Sequence, residues 1–173
     1  MSSDFIVKLA RAAAAASLLA VAALSSSCQV RPLYAESTGV TQKLASVGFS
    51  EANSRVAQEV RNQLIFMAGR GAGEATNPQY TVDLSVSSAE QGVIYLPTSD
   101  TSAAARFTVT VSFVLKRVSD GKVLKAGNRA ATALLDLPTQ QFGQIRAARD
   151  AEDRAAREAA EMVGADIAAA LGR

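Results

Sequence analysis

The sequence predicts an α+β fold: a mainly antiparallel sheet of about four strands with two helices packed on one face. Three observations predict it. Apolar and polar residues alternate from Arg106 to Lys116, Asp120-Gly121 follows as a hairpin turn, and helical periodicity appears before and after the strands. Strands grouped in the middle with helices at both ends describe a two-layer sandwich.

The first 27 residues stand apart from that domain. Lys8 and Arg11 precede a thirteen-residue segment, Ala12 to Leu24, whose only polar member is Ser17; Ser25, Ser26 and Ser27 follow. A basic start, a short apolar core and small residues describe a secretory signal peptide. A transmembrane helix needs about 20 apolar residues, so this segment is too short to be one.

Cys28 is the only cysteine, so no disulfide can form within the chain. An odd cysteine in an exported protein points to a free thiol, an intermolecular bridge or a modified residue. Its position, directly after the small-residue segment, makes it the first residue of the mature chain. A second cut, after Ala35, lies well beyond the apolar core. Taking 27 residues from 173 leaves 146, residues 28–173, a size suited to a single domain.

Residues 29–50 read as an extended lead-in punctuated by Pro32 and Gly39, with Lys43 to Phe49 as a first strand. Ser50 to Ala68 is helical by period: Val56, Val60, Leu64 and Met67 recur on one stripe. Ser50, Asn53 or Ser54 would cap its start, and Gly69 and Gly71 stop it. The run Gly69-Arg-Gly-Ala-Gly73 lacks a Gly-Lys-Ser/Thr and follows a helix, so it is a linker rather than a phosphate loop.

Tyr80, Val82, Leu84 and Val86 alternate with polar residues as a half-buried strand. Gly92 to Pro97 is predicted as an inter-strand loop carrying four consecutive apolar residues, Val93, Ile94, Tyr95 and Leu96. Phe107, Val109, Val111, Phe113 and Leu115 form the buried side of the strongest strand. After the Asp120-Gly121 turn, Lys122 to about Leu135 returns antiparallel, weakened in its middle by Gly127.

Beyond Pro138 the chain is alanine-rich and helical. One stripe is Ile145, Ala148, Ala151, Ala155, Ala159 and Met162; another is Ala156, Ala160, Val163, Ile167 and Leu171. Together they form a broad, small-residue face able to lie close to a sheet.

Charge and composition narrow the function. The chain holds 18 basic and 16 acidic side chains; without Lys8, Arg11 and Asp4 the mature part has 16 and 15. That balance carries no basic stripe for nucleic acid. There is no histidine, which removes the commonest general base and metal ligand. Asp83, Glu90, Asp100 and Asp136 are scattered between unrelated segments, so paired-carboxylate chemistry has no visible centre. The reading is a non-enzyme with no catalytic residues, metal or cofactor.

Cys28, the Arg31-Pro-Leu-Tyr34 that follows, the helix Ser54 to Leu64, the Tyr80 strand, the long strand led by Arg106, the Asp-Gly hairpin and the closing Ala/Arg/Glu helix occur in a recognisable order. The pattern resembles the LptE family of lipopolysaccharide-assembly lipoproteins over essentially the whole mature chain. It departs at Cys28-Gln-Val30, where the common family form has Cys-Gly-Phe. The resemblance implies that Cys28 is acylated and tethers the chain. It further implies a plug inside a large β-barrel lipopolysaccharide-assembly protein (LptD-like), which it helps to fold and to deliver lipopolysaccharide to the outer leaflet. Gln29 after Cys28, rather than Asp, fits sorting to the outer membrane. An accessory lipoprotein of another envelope lipid-transport system shares the same layout and is the alternative.

Two local features suit that role. Val93, Ile94, Tyr95 and Leu96 are candidates for contact with the barrel, because exposed apolar patches mark interaction sites. A two-residue turn at Asp120-Gly121 would set Lys116 directly opposite Lys125, with Arg106 on the same face, as a site for a lipopolysaccharide phosphate.

Overall fold

The computed structural model describes residues 39–96 and 101–172. The expected signal peptide, Cys28 and the lead-in up to residue 38 lie outside the described residues. Within them the chain runs α1 (Val40–Ala45), β1 (Val47–Phe49), α2 (Arg55–Gly69), β2 (Tyr80–Leu96), β3 (Thr101–Arg117), β4 (Val123–Asp136) and α3 (Gln141–Leu171).

The four strands form one sheet in the order β1-β2-β3-β4. Short β1 pairs parallel to β2, and the other two pairings are antiparallel. The predicted α+β layout is therefore the observed one, with one added element. The segment expected as a first strand from Lys43 divides into α1 and the three-residue β1. Val40 and Leu44, four residues apart, are both buried, the spacing that places side chains on one face of a helix. Gly39, with φ of 65°, begins the turn in a conformation that glycine adopts freely.

In α2, Ser54 is the cap among the three candidates: its hydroxyl accepts the backbone N–H of Ala57 at 3.1 Å. Val56, Val60 and Leu64 are buried as the period predicts, with Ala68 beside them, while Met67, the fourth residue of the predicted stripe, is half-buried. The glycine-rich linker is pinned by Glu74, which accepts the Phe49 backbone N–H at 3.0 Å and pairs with Arg61 at 2.6 Å.

Strands β2 and β3 are long, 17 residues each, and pair from Tyr80↔Arg117 to Leu96↔Thr101. Gly92 to Leu96, expected as a loop, thus belongs to β2. Register shifts between Gly92 and Tyr95 accommodate it, since a bulge lets a strand continue while re-aiming its side chains.

The odd-numbered residues of β3 from Ala105 to Leu115 are buried, facing Ala131, Ala133 and Leu135 of β4 and Val82 of β2. Gly127 lies opposite Phe113, whose ring sits 3.4 Å from where a Cβ would stand. The glycine that weakens β4 by propensity makes room for the largest fully buried side chain.

Both helices cover this one face. In α3, Ala151, Ala155, Ala156, Ala159, Ala160, Val163, Ile167, Ala168 and Leu171 are buried, uniting the two predicted stripes. Small residues let the helix backbone approach β3 and β4 closely, so dispersion contacts are gained without long side chains. Helix α2 runs alongside: Arg55 bridges Glu152 and Asp153, Arg157 meets Glu59, and Met67 lies against Gly164. At the foot of α3, Lys43 Nζ donates to the Leu171 carbonyl at 2.7 Å, satisfying an acceptor that a helix end leaves open.

Candidate functional site

The two ends of this sandwich differ in cover. Helix α2 reaches only as far along α3 as Glu152 and Asp153. From Gln141 to Asp150, α3 has no buried residue. On β2, Ser87 to Ile94 are all exposed. The end built by the far parts of β2, β3, β4 and the first turns of α3 is therefore the open end, where Val93, Ile94, Leu134, Phe142 and Ile145 are exposed; Phe66, Val118 and Val123 are exposed at the other end.

Val93 and Ile94 are 53% and 54% exposed on β2. Tyr95 and Leu96 continue the strand, paired with Ser102 and Thr101. In the row beside them Ile94 pairs with Ala104, and Ala104 with Asp136 at the end of β4. Leu137 and Pro138 then lead to α3, where Phe142 is 72% and Ile145 46% exposed. Ile145, expected on the core stripe, is thus half-exposed, because α2 begins only at the level of Glu152 and Asp153 and does not cover that turn.

Arg146 and Arg149 follow Phe142 at helical spacings of four and seven residues, which places them on the same side of α3. Both are exposed, and neither pairs with an acid among the described residues. Sequence reasoning passed over Phe142. The available signal was that spacing of Phe142, Ile145, Arg146 and Arg149, a face apolar and basic rather than apolar alone.

The structure does not bring the three predicted basic residues together. The turn after β3 is wider than two residues: the Arg117 N–H donates to the Lys122 carbonyl at 3.0 Å. Lys116 then pairs with Val123, and a shift places Leu115 opposite Lys125. A one-residue slip moves a side chain to the other face. Lys125 accordingly lies on the helix side, where its charge helps hold Asp166 below the usual carboxylate range; the larger cause is the Arg129 guanidinium, bound through Nε at 2.8 Å and Nη2 at 2.9 Å.

Lys116 is on the uncovered face, paired with Asp83 at 2.7 Å. Arg106 shares that face, where its guanidinium meets the side-chain oxygen of Gln91. Ten residues of strand separate them, roughly 33 Å at the usual rise. No single phosphate can span that distance.

Among the described residues no group of three metal-ligating side chains converges, and no helix is long and apolar enough to cross a membrane. Fold and surface define a helix-covered sheet domain with a bare apolar and basic end, a protein suited to working through contact surfaces. The model of the LptE family, described as lipopolysaccharide-assembly, matches residues 41–167. The chain belongs to the LptE family, a family of lipopolysaccharide-assembly lipoproteins.

No curated protein matches the sequence. Among solved structures, a Caulobacter crescentus protein described as a lipoprotein is similar at a TM-score of 0.63 with 24% identity, over 77% of this chain and 96% of that one. The rare lipoprotein B from Shewanella oneidensis has a TM-score of 0.55 and 14% identity, covering 72% of this chain and 92% of its own. A minor lipoprotein from Acinetobacter baumannii gives 0.51 and 12%, over 71% and 88%. At these identities the likeness is one of fold.

Proposed function

We propose that the protein is an outer-membrane lipoprotein, tethered through acyl chains on Cys28, that plugs and assists assembly of the β-barrel lipopolysaccharide translocon. The family match over residues 41–167 carries this reading. In it the mature chain, residues 28–173, is one periplasm-facing domain, and its partners are an LptD-like barrel protein and lipopolysaccharide.

The physics of the tether is cumulative. Each buried methylene contributes about 0.8 kcal/mol, and a single myristoyl-length chain holds a protein only marginally. Several chains on one cysteine would make attachment effectively permanent. The polar lumen of a wide barrel suits the uncovered sheet face, which carries Thr81, Asp83, Ser85 and Ser87 on β2 and a Thr108–Thr132 hydroxyl pair at 3.1 Å. Val93 to Leu96 on β2 are the proposed barrel contact.

The test is co-purification from envelope membranes. Native protein is expected to bring down a large β-barrel protein, and Ile94→Ser with Tyr95→Ser to lose it while folding unchanged. A native chain that is freely diffusible, with an unmodified Cys28 thiol by mass spectrometry, overturns the tether. A native chain that retains no barrel protein overturns the assembly role.

A further inference from the structure

At the closed end, under the last turn of α2, a cleft of ≈390 Å³ opens from the surface between the helices and β1. Leu44 of α1, Phe49 of β1, Leu64 and Met67 of α2 and Ile167 of α3 form its walls. Every one of these side chains is apolar. Gly164 of α3 also lines it: a Cβ there would stand 3.1 Å from Met67 Cε and 3.8 Å from Leu64 Cδ2, so a larger residue takes up space between these walls.

One charged residue borders the space. Arg70 lines the cavity and caps α2 with φ of 51°, the left-handed region that residues other than glycine seldom occupy. No carboxylate among the described residues lies within 4.0 Å of its guanidinium. An apolar chamber with a single unneutralised cation beside it fits an anionic amphiphile. Its size falls at the low end of the ~300–1,000 Å³ range of ligand pockets, suited to one hydrocarbon chain rather than several.

From this geometry we infer a binding site for a single saturated acyl chain whose anionic head meets Arg70. The head and chain chemistry is shared by a free fatty acid and by one acyl chain of a phosphorylated lipid. The site is far from the apolar residues of the open end and does not depend on the barrel partner.

The purified full chain, incubated with laurate bearing a diazirine near its methyl end, irradiated and mapped by mass spectrometry, tests it. Adducts are expected on the peptides holding Leu44, Leu64 to Met67 and Ile167, and to be competed away by unlabelled laurate. Gly164→Leu should abolish them. Arg70→Asn, which tolerates the left-handed backbone, should lower laurate capture about fivefold and leave a neutral dodecanol analogue unchanged.

Adducts spread over Val93, Ile94 and Phe142, or capture indifferent to Gly164→Leu, overturn the site. Should Gly164→Leu fail to fold by circular dichroism, equal loss of laurate and dodecanol in Arg70→Asn overturns the anionic head instead. Competition by lipopolysaccharide assigns the chain to that lipid, and its failure to compete assigns the chain to a free fatty acid. Because purified protein suffices, this result is independent of whether the barrel is retained.

Discussion

The closed and open ends of this molecule use the same three long strands and differ in what lies on them. At the closed end α1, β1, α2 and the C-terminal two-thirds of α3 converge, and Val40, Val60, Val82, Leu115 and Val163 are wholly buried. At the open end α3 alone covers β3 and β4, so Ala105 and Phe107 stay buried, while β2 is exposed from Ser87 to Ile94 and meets α3 through the Ser88–Glu152 hydrogen bond at 2.8 Å. Stability and contact surface are thus segregated along one sheet. The strands extend past the core that two helices can cover, and the excess length presents side chains outward.

That contrast can be broken most directly in the core. Phe113→Ala removes a fully buried ring packed over Gly127 and is expected to cost about 3–5 kcal/mol in urea unfolding. Phe142→Ala at the open end should stay within about 0.5 kcal/mol. Equal losses would erase the distinction. Ala159→Leu, which inserts bulk between α3 and the sheet, should cost about 1–3 kcal/mol. Ser54→Ala removes the α2 cap and should cost about 1 kcal/mol, lowering the urea midpoint at unchanged slope.

The smallest effect is electrostatic. Asp166 is held below its ordinary value of 3.8, chiefly by the Arg129 hydrogen bonds. A carboxylate depressed in the fold contributes stability above its unfolded pKa and loses it as pH falls through the folded one. For this surface-edge pair the contribution is expected below about 1 kcal/mol. Asp166→Asn should flatten that part of the acid limb, seen in melting temperatures between neutral and strongly acidic pH.

Much of the closed end was legible because its signals are periodic. The alternation from Phe107 to Leu115 and the Val56, Val60, Leu64 stripe report burial directly. α1 was not, since six residues with only Val40 and Leu44 buried give too short a pattern to separate helix from strand. The register of β4 failed for a different reason. The turn after Arg117 is wider than its Asp-Gly centre suggests, and the shift beside Leu115 moves Lys125 across the sheet. A one-residue error there dissolved the predicted phosphate site. The open end was half legible: Val93 and Ile94 stood out as an apolar run, whereas Phe142 was hidden among residues read as core. The cavity left no sequence signal at all, because it is made where four separate elements meet.

The Lys43–Leu171 hydrogen bond has a practical consequence. It fastens the first helix to the final turn of the last one, so the chain enters and leaves this domain at one pole. Helix α3, 31 residues long, spans roughly 46 Å at the usual rise, which sets Phe142 at the other pole. A reporter fused behind Leu171 would therefore sit at the pole where α1 begins and leave the distant apolar tip unobstructed, giving a labelled molecule whose open end can still be probed.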